Sequence, residues 1–143
     1  MFTLQGGCHC GGLRVELTTQ QSPAILQARA CDCSFCRKHG AAYVSDPAGG
    51  MRVIETTKAA LQEYRHSSRT AQFLICAACG VLIAVCFTAS DGVYGAVNAC
   101  CLEEEPRLGP ALAASPQRLT PQERVERWRM LWVPNVEVKS FAA

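Results

Sequence analysis

The sequence of 143 residues has no long apolar run: its longest, Val81 to Phe87, falls far short of the roughly 20 residues that span a bilayer as a helix. No N-terminal basic segment followed by an apolar stretch and a cleavage site is present, which predicts a soluble, cytoplasmic chain without a membrane partner. Charge is sparse as well, with 18% charged residues and a formal net charge of +2. The arginines are scattered between Arg14 and Arg129 without interleaved aromatics, so nothing resembles a phosphate-tracking face and nucleic acid is not an expected partner. Repeats are absent. Only Glu103 to Ser115, rich in Pro, Ala and Gly, is compositionally biased, and it reads as a surface loop. The chain is 49% hydrophobic, long enough for one core and too short for two, so residues 1–143 are expected to form a single domain.

Cysteine, by contrast, is abundant, with ten residues. Five disulfides would suit a secreted chain with a weak core, and neither condition holds. Seven of the ten cysteines fall into tight groups: Cys8 and Cys10, then Cys31, Cys33 and Cys36, then Cys76 and Cys79. Residues two or three apart in a turn can aim two sulfurs at one ion without closing a long loop. Glycines follow both pairs, Gly11-Gly12 and Gly80, and allow the backbone to turn tightly and bring N–H groups near the thiolates. The two pairs together, Cys8, Cys10, Cys76 and Cys79, make a closed four-sulfur site, for which structural zinc is well suited.

Hydrophobic periodicity is mostly that of strands. Leu13, Val15 and Leu17 alternate with Arg14 and Glu16, the pattern of a half-buried strand over Gly11 to Leu17. Further strands are expected at Ala24 to Ala30, Ala41 to Ser45, Met51 to Glu55, Leu61 to His66, Thr70 to Ile75, Val81 to Thr88 and Val93 to Asn98, separated by turn signals. The expected class is mainly β, a compact antiparallel sheet protein. One helix is signalled by Thr120-Pro121-Gln122-Glu123, a capping box with proline at the first helical position. It should run to about Trp132, before Pro134, with Val125, Trp128 and Trp132 on a core-facing stripe and Arg124, Glu126, Arg127 and Arg129 mostly toward water. A ligand-facing role for one tryptophan is the alternative.

The trio Cys31, Cys33 and Cys36 supplies three thiolates and no fourth. A structural zinc takes four protein ligands, whereas a catalytic zinc keeps one position open. Three readings stand at this point. The trio holds a second zinc with an exchangeable position; His39 or His9 closes the shell; or the trio is an empty or redox-active thiol cluster, with Cys36 near the start of a short helix beside Arg37 and Lys38, where a thiolate is favoured.

The runs GGCHCGGLRVEL, CDCSFCRKHGA, CAACG and AVNACCL, in that order between Gly6 and Leu102, resemble the glutathione-dependent formaldehyde-activating enzyme (GFA) family. The resemblance implies a zinc-stapled β-tent of sheets, with a structural zinc on Cys8, Cys10, Cys76 and Cys79. It also implies a second zinc near the active site on Cys31, Cys33 and Cys36, the expected catalytic residues. The implied chemistry is addition of a glutathione-like thiol to a small aldehyde such as formaldehyde, or the reverse carbon–sulfur lyase step. The segment after Leu102 carries no family motif. A second hypothesis, from a different class, is a non-catalytic zinc-scaffold binding module whose second cluster is structural or vestigial.

Arg37 and Lys38 could attract a glutathione carboxylate, but adjacent basic residues usually belong to a solvated surface. The same two readings apply to an anion pocket from Arg65, His66 and Arg69. Cys86, Cys100 and Cys101 lack ligand spacing and read as small buried residues. Asn98, polar in an apolar strand, must find hydrogen-bond partners if buried.

Overall fold

Alternating and continuous apolar segments become strands in the computed structural model, which describes residues 1–103 and 108–142. In chain order the elements are β1 (Phe2–Gly7), β2 (Leu13–Thr19), β3 (Gln27–Cys31), α1 (Ser34–His39), β4 (Ala42–Val44), β5 (Gly50–Glu55) and β6 (Leu61–Tyr64). They continue with β7 (Gln72–Cys76), β8 (Leu82–Ala89), β9 (Gly92–Asn98), β10 (Gly109–Ala114), α2 (Pro121–Leu131) and β11 (Glu137–Lys139). The class is mainly β, as the periodicity predicts. Leu13, Val15 and Leu17 are fully buried on β2, and Arg14 and Glu16 lie half-exposed between them.

Two sheets result. The smaller runs β1-β2-β5-β11 and the larger β10-β3-β4-β9-β8-β7-β6. Most neighbours are antiparallel, but β10 pairs with β3 and β11 with β5 in parallel. One face of the larger sheet packs on the smaller one: Val15, Leu17 and Val53 meet Val44, Ile83 and Val97 in one core cluster. Its other face carries a second cluster of Tyr43, Phe73, Val85 and Phe87 with Cys36 and the α2-end Trp132. Because β8 lies between both layers, six consecutive residues from Leu82 to Phe87 are buried, which is why its sequence is an unbroken apolar run.

Three strands were not legible. β1 ends in Gly6-Gly7, which reads as a turn, and β11 contributes three exposed residues. β10 corrects the loop expected over Glu103 to Ser115: Gly109 to Ala114 pairs in parallel with β3, with a register shift where Pro110 lacks an N–H. Backbone pairing on a sheet edge asks little of the side chains, so a Pro/Ala/Gly segment can accept it. Residues 104–107 of that expected loop lie outside the described residues.

The helix begins where its cap predicts. The Glu123 N–H donates to the Thr120 hydroxyl at 3.1 Å, and the Thr120 N–H donates to Glu123 Oε1 at 2.9 Å. No helix among the described residues is long and apolar enough to cross a membrane. Thr120→Ala removes half of this box and should cost about 1 kcal/mol, lowering the melting midpoint by roughly 2–4 °C in a thermal unfolding scan.

Candidate metal centres and the adjoining cleft

Local backbone geometry explains the four-sulfur group. After β1 the chain turns through Cys8 to Leu13, with the Gly11 N–H donating to the Cys8 carbonyl and the Leu13 N–H to the Cys8 sulfur at 3.3 Å. After β7 it makes a similar turn, with the Gly80 N–H donating to the Cys76 carbonyl at 2.8 Å. Gly11 and Gly80 take φ of +83° and +79°, a region costly for residues with a Cβ. These two turns bring the sulfurs of Cys8, Cys10, Cys76 and Cys79 within 4.8 Å of one another. Cys8 to Cys10 is 3.7 Å and Cys10 to Cys76 is 3.6 Å. A tetrahedron with metal–sulfur bonds of about 2.3 Å requires sulfur–sulfur edges of about 3.8 Å, whereas a disulfide requires about 2.05 Å. The spacing fits an ion and excludes a disulfide, and all ten cysteines are free.

The electrostatics agree. The Cys10 N–H donates to Cys79 and holds its thiol down to about 6. At Cys10 the Gly12 N–H favours the thiolate, but the Cys76 and Cys8 sulfurs outweigh it and push the pKa up to about 11. Neighbouring thiolates resist simultaneous ionisation unless a cation neutralises them, the condition a bound metal meets.

The trio is built by the end of β3 and the start of α1. Cys33 is the N-cap of α1, its sulfur accepting from the Cys36 N–H at 3.4 Å, and Gly40 ends the helix in the left-handed region. The three sulfurs of Cys31, Cys33 and Cys36 also lie within 4.8 Å of one another. Hydrogen bonds from Cys31 and then Cys36 hold Cys33 far below the ordinary thiol range. Its partner Cys31 is pushed up to about 11 mainly by Cys33, and Cys36 is raised by Cys31 and Cys33. The arrangement favours one negative charge centred on Cys33 and needs a cation to hold more. No histidine joins this group among the described residues. The His39 ring packs instead against Phe35, with centroids 4.6 Å apart.

Tyr43, on β4, is a site residue that the sequence did not single out. Its hydroxyl lies 3.1 Å from the Cys36 sulfur, and burial followed by the Cys36 charge raises its pKa, so it remains a neutral hydroxyl hydrogen-bonded with that sulfur. An aromatic within an apolar strand looks like core, and its polar end becomes informative only in three dimensions.

The three cysteines of the trio line an open cleft. Its apolar walls include Phe73 and the α2-end pair Trp128 and Trp132, whose rings stack 4.6 Å apart. Ala114 at the end of β10 lines it too, and sits opposite Cys31 in register. The Asp32 N–H donates to the Ala114 carbonyl, and the Ser115 hydroxyl donates to Asp32 Oδ2 at 2.7 Å, clamping the thiolate-bearing strand.

A model of the glutathione-dependent formaldehyde-activating enzyme family matches residues 3–116. The chain belongs to that family. A crystal structure of a Rhodobacter sphaeroides protein, a structural genomics target, is similar with 30% sequence identity and a TM-score of 0.56, over 75% of this chain and 99% of the other. In this GFA-family chain α2 lies beyond the matched segment, so the cleft wall it supplies is outside what the family match describes.

The other residues singled out in the sequence divide between those that match expectation and those that do not. Arg37 and Lys38 are exposed and do not line the cleft, in keeping with a solvated surface. His66 lines it, but without Arg65 and Arg69; Arg65 donates to the Arg69 carbonyl and pairs with Glu63. The cleft arginines are Arg29, Arg124 and Arg127; Arg127 lines the cleft while exposed, as a solvated helical face predicts, whereas Arg124 is half-buried. Cys86 and Cys101 are pushed up to about 12, chiefly by burial, whereas Cys100 is exposed. Asn98 is buried and donates to the Leu82 carbonyl at 2.9 Å within the sheet.

The two clusters should respond differently to deletion. Metal binding at a closed thiolate site is worth on the order of 10 kcal/mol coupled to folding, comparable with the whole stability of a domain. Cys79→Ala should therefore aggregate or lose its cooperative melt, whereas Cys33→Ala should keep it, by circular dichroism. Tyr43→Phe should fold and release metal from the trio roughly 10 to 100 times more readily to a competing chelator.

Proposed function

We propose that this chain is a zinc-dependent carbon–sulfur lyase or synthase that joins a glutathione-like thiol to a small aldehyde such as formaldehyde. The supporting observation is that three sulfurs, with no fourth protein ligand among the described residues, converge on the wall of a cleft. On this reading Cys8, Cys10, Cys76 and Cys79 hold a structural zinc, while Cys31, Cys33 and Cys36 hold the second. Zinc at the trio would supply an open position that keeps a substrate thiol ionised at neutral pH.

The remaining work belongs to side chains. The Tyr43 hydroxyl shares a hydrogen bond with the Cys36 sulfur and so restrains the trio's orientation. The Trp128, Trp132 and Phe73 walls displace water from the aldehyde, which would otherwise be hydrated, and hold both reactants close, where proximity lowers the barrier. In the addition, the substrate sulfur donates an electron pair to the carbonyl carbon and a carbon–sulfur bond forms. The carbon–oxygen π pair moves to oxygen, which takes a proton. The proton lost by the thiol balances it, and the product is an S-hydroxymethyl thioether-alcohol. His66, whose ring lines the cleft and stacks on Phe73 at 5.3 Å, is assigned to pass that proton. The reverse sequence is the lyase step.

Cobalt in place of zinc makes the trio visible by its d–d bands. Glutathione should shift those bands and raise the thiolate charge-transfer absorption, S-methylglutathione should leave them unchanged, and Cys33→Ala should abolish the response. Formaldehyde added afterwards should partly reverse the shift. Absence of any response to millimolar glutathione sinks the thiol reading and leaves a non-catalytic zinc scaffold as the better account.

A further inference from the structure

The cleft contains a charge pattern that the sulfur cluster does not use. Arg29, Arg124 and Arg127 all line it, together with His66, and among the described residues no Asp or Glu does. Among the described residues the ion pairs engage Arg14, Arg52, Arg65 and Arg129, and none engages the cleft arginines. Arg29 donates instead to the Ser45 hydroxyl at 2.6 Å, which itself donates to the Leu131 carbonyl. The Arg124 Nε is buried and has no hydrogen-bond partner among the described residues. An orphaned guanidinium N–H in a cleft costs free energy that an anion would relieve, and guanidinium forks match carboxylates two bonds at a time. Burial and then the like charge of Arg127 lower the Arg29 pKa, a cost that an anion beside the two would relieve.

Arg124 and Arg127 are three residues apart on α2, on the same side as Trp128 and Leu131, which also line the cleft. Neither arginine lies within the residues that the family match covers. The function of this wall is therefore argued from this chain's own side chains.

We propose that Arg29, Arg124 and Arg127 form a carboxylate-binding subsite that selects thiols carrying a carboxylate over neutral or cationic thiols for the three-cysteine cluster. The inference rests on reading that cluster as a thiol site, and it assigns the side chains of this chain that take the ligand's carboxylate, on the α2 side, while its sulfur reaches Cys31, Cys33 and Cys36. Apolar walls between the two ends accommodate the uncharged body of such a ligand.

The test uses a ligand that cannot donate a thiolate. The chain's two tryptophans both line the cleft, so their fluorescence reports occupancy without any metal chemistry. S-methylglutathione should alter this emission saturably, and its dimethyl ester, uncharged at both carboxyl groups, should bind roughly tenfold or more weakly. Arg124→Gln and Arg127→Gln, made singly and together in the zinc-loaded protein, should weaken the diacid by a similar factor and leave the ester unchanged. The ester comparison needs no variant, so a folding defect in either substitution does not compromise it. Equal affinity for acid and ester, or no emission change with the acid, overturns the subsite. The cobalt spectrum keeps the two readings apart: tight diacid binding with no cobalt response to glutathione upholds the subsite and rejects thiol chemistry. A cobalt response with equal acid and ester affinity does the reverse.

Discussion

The junction of the two thiolate turns is the constraint on which the rest depends. Cys8 and Cys10 follow β1 in the smaller sheet, whereas Cys76 ends β7 in the larger one and Cys79 follows it. Their sulfurs meet at a spacing that suits a tetrahedral ion, so the ends of the two sheets converge at one point beside the first core cluster. Cys8 and Cys76 are themselves members of that cluster, so the polar junction and the apolar packing are a single piece of structure. β7 also carries Phe73 on its opposite face, toward the cleft. A shift at the junction would therefore be transmitted through one strand to the wall of the site, because a close-packed interior does not absorb displacement locally.

The larger sheet separates two kinds of burial. Its face toward the smaller sheet is nearly all aliphatic, whereas the opposite face collects aromatic rings, the thiolate trio and α2. The second face is not fully closed, and the opening that remains is the cleft. At one end lie three sulfurs that can share little negative charge without a cation; on the α2 side lie guanidinium groups that no carboxylate pairs among the described residues. Low dielectric between apolar walls strengthens both fields, so the cleft suits a ligand with a reactive sulfur at one end and an anionic group at the other.

Much of this was legible in sequence because the relevant signals are local. The half-buried β2, the continuous apolar β8 and the capping box of α2 each depend on residues within a few positions of one another, and each appears where its pattern indicates. The same is true within each cysteine group, where spacings of two or three decide which sulfurs can converge. β1, β10 and β11 were missed because edge strands are specified by the backbone groups they pair with rather than by their own side chains.

The cleft shows the division most clearly. Cys31, Cys33 and Cys36 are chemically conspicuous at any reading, since three thiols around one short helix must lie near each other. Tyr43 is seven residues beyond Cys36, and only the β3–α1–β4 path turns its hydroxyl onto that sulfur. Arg29 and Arg127 are separated by most of the chain, and Arg124 and Arg127 have the spacing of a solvated helical face. Sequence alone determined the fold class, the thiolate groupings and the capped helix, because short-range spacing controls those. Tertiary structure decided which cations face the thiolates, because that depends on where α2 docks across the sheet, a long-range packing outcome that no local pattern encodes.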